Sequence, residues 1–302
     1  MVEYRAVFDA EVVFANGGGL RTDGFRLDVP GPDVTDDELA ALLVRHLGLL
    51  MVGEVRVSNR SVVEEPHRGG RGVAAPTTGG RRLVELSHMI TDGMVTLPDL
   101  PGPRITDWLS RAASRERYAP GVEFHIGRID MIANTGTYVD TPSHRFADAP
   151  DLAEVPLDRL ADLPALVVRV PAGTRAVDRL LLAPYEVVGR AVLLHTGWDA
   201  HFGTDRYAAP EAPFLTGDGA SWLVSEGAAL VGIDSINIDD MTPAAAGERP
   251  AHTALLAAGI PIVEHLTGLS ELPPTGFRFT AAPPRVAGMG TFPVRAFATV
   301  DA

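Results

Sequence analysis

The sequence predicts an α/β protein with a mostly β core and flanking helices, preceded by a small α+β unit. Three observations predict it. Strand-length apolar runs recur at Leu83 to Leu86, Ala165 to Val170, Ala191 to His195 and Ala229 to Ile233. Shorter segments of helical character lie among them, at Ala220 to Glu226 and His252 to Ala258. A Gly- and Arg-rich stretch, residues 66–82, separates all of this from the first 65 residues.

Residues 1–65 read as ββαββ. Arg5 to Ala15 is rich in Val, Phe and Ala and suits a strand, Asn16-Gly17-Gly18-Gly19 signals a turn, and Phe25 to Val29 suits a second strand. Thr35 stands three residues before Glu38, a capping-box pattern, and Leu39, Leu42, Leu43, His46 and Leu47 repeat behind it at helical spacing. Met51 to Ser58 and Arg60 to Glu65 read as two more short strands. Residues 66–82 carry five Gly and four Arg and no long apolar run, the composition of a flexible tether. Residues 83–302 form the main domain. Its second helix ends at Gly259, a C-cap signal.

Composition narrows the chemistry. The 302 residues allow one large domain or a large one with a small companion, and 46% of them are apolar. A formal net charge of −13 disfavours nucleic acid and anionic membrane as partners. The chain has no Cys, which removes disulfides, thiolate catalysis and thiolate metal sites. It also has no Lys, which removes Schiff-base and P-loop chemistry. No secretion signal and no spanning apolar run are read, so the expected location is the cytoplasm. There is no Gly-x-Ser-x-Gly, His-Glu-x-x-His or Gly-x-Gly-x-x-Gly pattern.

The stretch Asn134-Thr-Gly-Thr-Tyr-Val-Asp-Thr-Pro-Ser-His144 concentrates an acid, an imidazole, hydroxyls, Gly136 and Pro142 in eleven residues. Pro142 resists a regular helix, and a turn after Asp140 would put Asp140 and His144 on one side. An Asx-turn with a surface His is the plainer alternative. His252 precedes Glu264 by twelve residues. A helix returning into a strand brings such positions together, and one imidazole with two carboxylates suits Zn²⁺ or Mn²⁺. A capping His and a solvent-facing Glu would give the same spacing. His88, His195 and Trp198 lie at predicted strand ends and are candidates to line a substrate pocket.

With these residues in view, the chain resembles the cyclase family of kynurenine formamidases and isatin hydrolases. The family signature His-x-Gly-Thr-His-x-Asp-x-Pro-x-His is met here by Asn134, Gly136, Thr137, Tyr138, Asp140, Pro142 and His144. The resemblance spans about residues 83–298. It includes Leu86-Ser-His-Met-Ile90, Gly93-Met94, His195-Thr-Gly-Trp198, Gly232-Ile-Asp234-Ser235 and the His252…Glu264 pair. It implies a cyclase-family fold and a metal-dependent hydrolase opening amide bonds in small, often aromatic metabolites, usually as a homo-oligomer. Asp140, His252 and Glu264 match metal ligands, and His144 matches the catalytic His. Two ligand His are replaced, by Asn134 and Tyr138, so one divalent ion is expected in place of two. Tyr138 or Asn134 is then left to donate a hydrogen bond to the developing oxyanion. The expected rivals are a metal-free cyclase or dehydratase and a non-catalytic binding protein. The segment from Ile105 to Phe124 is expected to set the substrate.

Overall fold

The structure is a computed structural model that describes residues 2–29, 31–47, 49, 51–66 and 80–301. Most of the expected 66–82 tether lies outside the described residues. The chain divides into two compact units, residues 1–77 and 78–302. Among the described residues no helix is long and apolar enough to cross a membrane.

In the first unit, β1 (Val2–Phe14), β2 (Gly19–Val29) and β3 (Val52–Pro66) form an antiparallel sheet in the order β2-β1-β3, with α1 (Asp36–Leu47) between β2 and β3. Alternate residues of β1, Ala6, Phe8, Ala10 and Val12, are buried with Leu39 and Leu43 of α1, the period-two and period-3.6 pattern of a sheet under one helix. The capping box forms as expected: Thr35 N–H donates to Glu38 Oε2 at 2.8 Å and Glu38 N–H donates to Thr35 Oγ1 at 3.3 Å. One expectation is corrected. The two strands read at Met51 to Ser58 and Arg60 to Glu65 are a single strand, β3, so the unit is ββαβ. The apparent break is a bulge. Asn59 adopts φ 53, which Asn tolerates better than most residues, and Asn59 and Arg60 together face Phe8. Asn59 Nδ2 donates to Asp9 Oδ2 at 2.6 Å, which holds the kink.

The second unit holds β4 (Arg81–Glu85), β5 (Arg104–Leu109), α2 (Arg111–Ser114), β6 (Ile126–Asp130), β7 (Tyr138–Asp140), β8 (Leu163–Arg169), β9 (Ala176–Val177), α3 (Arg179–Leu182), β10 (Ala191–His195) and β11 (Phe214–Leu215). It continues through α4 (Gly217–Ser225), β12 (Leu230–Ile233), α5 (Pro250–Ala257), β13 (Ile262–Glu264), β14 (Phe277–Thr280), β15 (Thr291–Pro293) and β16 (Phe297–Asp301). Nine of the strands make one sheet, ordered β15-β7-β13-β12-β10-β8-β14-β16-β4. The segment β8-β10-β12-β13 is parallel and the rest antiparallel.

β8 and β10 are buried on both faces, which explains their unbroken apolar sequence. Val167, Leu193 and Val263 pack into one core with Val139. Leu166, Val192, Val231 and Ile262 pack into the other, against Leu182, Leu223 and Leu255 of α3, α4 and α5. The sheet curls until its edges meet. Ser87, just beyond β4, bridges to Leu266, and its hydroxyl donates to the carbonyl of Val294, just beyond β15, at 3.0 Å. β5 and β6 form a separate hairpin, along which Ile105, Trp108, Phe124 and Ile129 are exposed.

Candidate metal centre

Three functional positions lie at the same end of the parallel strands. His195 ends β10, Glu264 ends β13, and the segment from Asp234 to Asp239 follows β12. Ligand sites collect there in open α/β sheets. β7 runs antiparallel to β13 and pairs Tyr138 with Glu264, and β15 pairs Thr291 with Asp140. Asp140, Tyr138, Glu264 and Thr291 therefore stand on one face, and Val139 and Val263 on the other.

The loop before β7 needs its glycine. Gly136 has φ 65, and a Cβ there would stand 3.3 Å from Ile90 Cγ1. Thr137 Oγ1 ties the loop down, donating to the His265 carbonyl at 2.6 Å and accepting from His88 N–H at 3.0 Å. After β7, Pro142 opens a single 3-10 turn to His144, with His144 N–H donating to the Thr141 carbonyl at 2.9 Å. That turn swings His144 back, so its Nδ1 lies 3.8 Å from Asp140 Oδ1. Thr291 Oγ1 lies between them, hydrogen-bonded to Asp140 Oδ1 and 2.7 Å from His144 Nδ1.

The helix-to-strand return also occurs. His252 is the third residue of α5, and Gly259, with φ 71, follows the C-cap as the sequence signalled. His252 Nε2 faces Asp140 Oδ2 at 3.6 Å and Glu264 Oε1 at 3.8 Å. Asp239 orients it. One carboxylate accepts the backbone N–H of Ala251 at 2.7 Å, the backbone N–H of His252 at 3.0 Å and His252 Nδ1 at 2.7 Å. It caps the start of α5, whose own N-cap residue Arg249 supplies no side-chain bond, and it directs Nε2 toward the other carboxylates. Burial opposes a charge on His252, but Asp140, Asp239 and Glu264 outweigh burial and push its pKa up to about 10.

Glu264 is buried, and both of its oxygens are engaged: Oε2 accepts from Tyr138 OH at 2.6 Å and Oε1 from Ile238 N–H at 2.6 Å. Burial, and the charge of Asp140, push its carboxyl up despite His252. Tyr138 is buried too, and burial with Glu264 and Asp140 drives its phenol well above its ordinary range. It stays neutral and serves as a donor to Glu264. Asn134 is half-buried and pulls the phenol weakly the other way. His265 Nε2 lies 3.3 Å from Tyr138 OH, and its Nδ1 2.9 Å from Tyr207 OH. Burial pulls His265 down to about 3, so this imidazole is neutral.

The pocket-lining candidates part company. His88 lines a mostly apolar cavity of about 770 Å³ with Met89, Ile90, Met131 and Phe292, and stacks on Phe202 with ring centroids 3.6 Å apart. His195 accepts at Nδ1 from Arg169 at 2.8 Å, and its Nε2 is 4.0 Å from Asp234 Oδ2. Trp198 is 8% exposed, and its indole N–H donates to the Tyr207 carbonyl at 2.9 Å, so it packs in a core with Tyr207 and Ile236. Sequence reasoning passed over Asp239, His265 and Thr291. Asp239 stands eleven residues before Pro250, where α5 begins, too far for a local capping signal. Thr291 lies 147 residues from His144 and carried none.

The residues present fit a cation. Asp140 is fully buried, and its Oδ2 has no hydrogen-bond partner among the described residues. Such an atom is costly unless something positive sits against it: a protonated His252 at 3.6 Å when no ion is bound, or an ion held between the two. Asp140, His144 and His252 offer ligand atoms that all lie within 4.8 Å of one another. Imidazole and carboxylate donors together suit Zn²⁺ or Mn²⁺.

A model of the Cyclase family matches residues 84–240, more than half of the 302-residue chain. The chain belongs to the cyclase family. Among its cyclase-family relatives are a kynurenine formamidase of Salinibacter ruber, 27% identical over 214 residues that make up 71% of this chain and 95% of the relative, and cyclase-like protein 2 of Oryza sativa, 29% identical over 76% of this chain and 82% of the relative. Isatin hydrolase A of Labrenzia aggregata, solved with benzyl benzoate, superposes with TM-score 0.63 at 23% identity, covering 74% of this chain and 94% of that one. A structure described as a potential metal-dependent hydrolase with cyclase activity superposes with TM-score 0.59 at 23% identity, covering 74% and 99%. At these identities the superpositions establish the shared cyclase fold.

Proposed function

We propose that the protein is a hydrolase that opens an amide, lactam or lactone bond in a small metabolite, with one divalent ion held by Asp140, His252 and Glu264. The observation that carries this reading is the buried, unpartnered Asp140 Oδ2 facing His252 Nε2 at 3.6 Å. The names of the relatives, kynurenine formamidase and isatin hydrolase, support C–N bond opening. Glu264 Oε1 keeps a second lone pair after accepting from Ile238, and it lies 3.8 Å from the same nitrogen.

When bound, the ion supplies Lewis acidity, bringing the pKa of a bound water toward about 7. The chain's residues do the rest. Asp239 holds His252 with Nε2 forward. His144 is the exposed member of the group and takes the proton from the attacking water at Nε2, then returns it to the leaving nitrogen or oxygen. Tyr138 directs its one O–H to Glu264 and keeps the proton, so the oxyanion donor is the Asn134 amide, a contact worth about 3 kcal/mol.

The test is elemental analysis of purified protein together with turnover of isatin and of an aryl formamide, before and after chelation. The expected result is about one ion per chain, and activity lost on chelation and restored by Mn²⁺ or Zn²⁺. Full turnover by ion-free protein would overturn the reading in favour of a metal-free cyclase or dehydratase.

A further inference from the structure

We propose that Thr291 is the residue that decides which nitrogen of His144 reacts, by fixing the imidazole tautomer. The role in turnover rests on the hydrolase reading above; the tautomer does not. Thr291 is 3% exposed and sits opposite Asp140 in the β7–β15 ladder. Its one hydroxyl touches two groups, Asp140 Oδ1 and His144 Nδ1. A hydroxyl has a single proton to give. That proton goes to Asp140 Oδ1, which accepts it. The contact with His144 is then made only if Nδ1–H donates to Thr291 Oγ1. A neutral imidazole carries one N–H, so its lone pair is on Nε2, the nitrogen free to take a proton.

No direct bond can replace this link, because Asp140 Oδ1 and His144 Nδ1 are 3.8 Å apart. The surroundings hold the hydroxyl in place. Thr141 N–H and Thr141 Oγ1 both donate to the carbonyl of Gly290, at 2.8 and 2.9 Å, which pins the residue before Thr291 to the turn that carries His144. Branching at Cβ limits the rotamers open to Thr291. The same hydroxyl takes one lone pair of Asp140 Oδ1, whereas Oδ2 has both lone pairs left to face an ion.

The test compares wild type with Thr291→Val, which keeps the shape and removes the hydroxyl, and Thr291→Ser, which keeps the hydroxyl. Long-range ¹H–¹⁵N spectra are recorded on ion-free, ¹⁵N-histidine-labelled protein at about pH 8.5, where a free imidazole is neutral. A His144→Gln variant assigns the resonance. His144 is expected as the Nδ1–H tautomer in wild type and Thr291→Ser, and to shift toward Nε2–H in Thr291→Val. With isatin as the probe, Thr291→Val is expected to lose at least tenfold in kcat with KM changed less than twofold, and Thr291→Ser to recover most of the loss. An Nε2–H tautomer in wild type overturns the proposal even if Thr291→Val fails to fold. So does a Thr291→Val protein with the wild-type tautomer. Failure of wild type to turn over isatin or any other amide would count against the hydrolase reading and leave the tautomer assignment standing on the spectra.

Discussion

Asp239 Oδ2 accepts His252 Nδ1 at 2.7 Å, and the same carboxylate takes two backbone N–H groups at the start of α5. One acid thus fixes both the helix end and the direction in which the imidazole faces the other carboxylates. Partners that orient a ligand His in this way typically contribute 10- to 100-fold to metal affinity. Asp239→Ala is expected to weaken Mn²⁺ binding by about that factor, read by titration calorimetry. An unchanged affinity would show that Asp239 serves the helix cap alone.

His144 and Glu264 are separated by their environments. His144 stands at the exposed rim, while Glu264 is enclosed with both oxygens engaged. His144→Ala is expected to lower kcat about 10²- to 10⁴-fold, the usual worth of a positioned acid–base group, with Mn²⁺ affinity nearly unchanged. Glu264→Gln is expected to lose the ion. If His144→Ala instead released the ion and Glu264→Gln kept it, the two roles would have to be exchanged.

What the sequence made legible follows from local chemistry. The Pro142 turn, the Gly259 cap, the Thr35–Glu38 box and the doubly buried strands β8 and β10 are set by residues within a few positions of one another. The bulge at Asn59 was read as a strand break because a residue tolerant of positive φ looks the same in a turn and in a kinked strand. Trp198 stood in a polar turn that suggested a pocket, yet its indole is turned inward to the Tyr207 carbonyl. Thr291 and His265 were invisible because their partners, Asp140, His144, Tyr138 and Tyr207, lie 58 to 151 residues away in the chain and meet them only in the folded protein.

Tyr138 gives a stability prediction. Its hydroxyl donates to Glu264 Oε2 and lies 3.3 Å from His265 Nε2, with no solvent near. Tyr138→Phe keeps the ring and leaves Glu264 Oε2 only the long contact from Asn237 Nδ2 at 3.5 Å, a loss of about 1–3 kcal/mol. The urea midpoint of the ion-free protein is expected to fall accordingly. Because the change also frees Glu264 Oε2, added Mn²⁺ is expected to recover more stability in the variant than in wild type. A midpoint that does not move would mean that Glu264 is satisfied without Tyr138.

His88 gives a pH dependence. Burial pulls its pKa down to about 4, whereas an unfolded His titrates near 6.5. Between those values the unfolded chain binds more protons, so the stability His88 contributes is present above pH about 6.5 and is lost as pH falls toward about 4. The limit is about 1.4 kcal/mol per pH unit, and less here because the ring is only partly buried. Asp234 acts in the opposite sense. Burial pushes it from 3.8 to about 6, so the folded state holds its proton and stability falls as pH rises through that window. Comparing His88→Phe with wild type removes the Asp234 contribution. The variant, which can still stack on Phe202, is expected to show a smaller drop in Tm between pH 7 and 5. Parallel curves would mean that His88 titrates alike in both states.

Gly290 tests the geometry of the His144 turn without touching any polar group. A Cβ at Gly290 would stand 2.3 Å from His144 N and 2.5 Å from His144 Cα. These are backbone atoms, so no side chain can rotate away, and either the turn or β15 must move. Overpacking of this kind costs about 1–3 kcal/mol. A shift of the turn breaks the contact between Thr291 and His144 while leaving His252, Asp239 and Glu264 in place. Gly290→Ala is therefore expected to bind Mn²⁺ within a few-fold of wild type yet turn over isatin at least tenfold more slowly. Since misplacing a catalytic group by about 1 Å can cost about 10²-fold, wild-type turnover in this variant would show that the approach of β15 to the turn does not govern the position of His144.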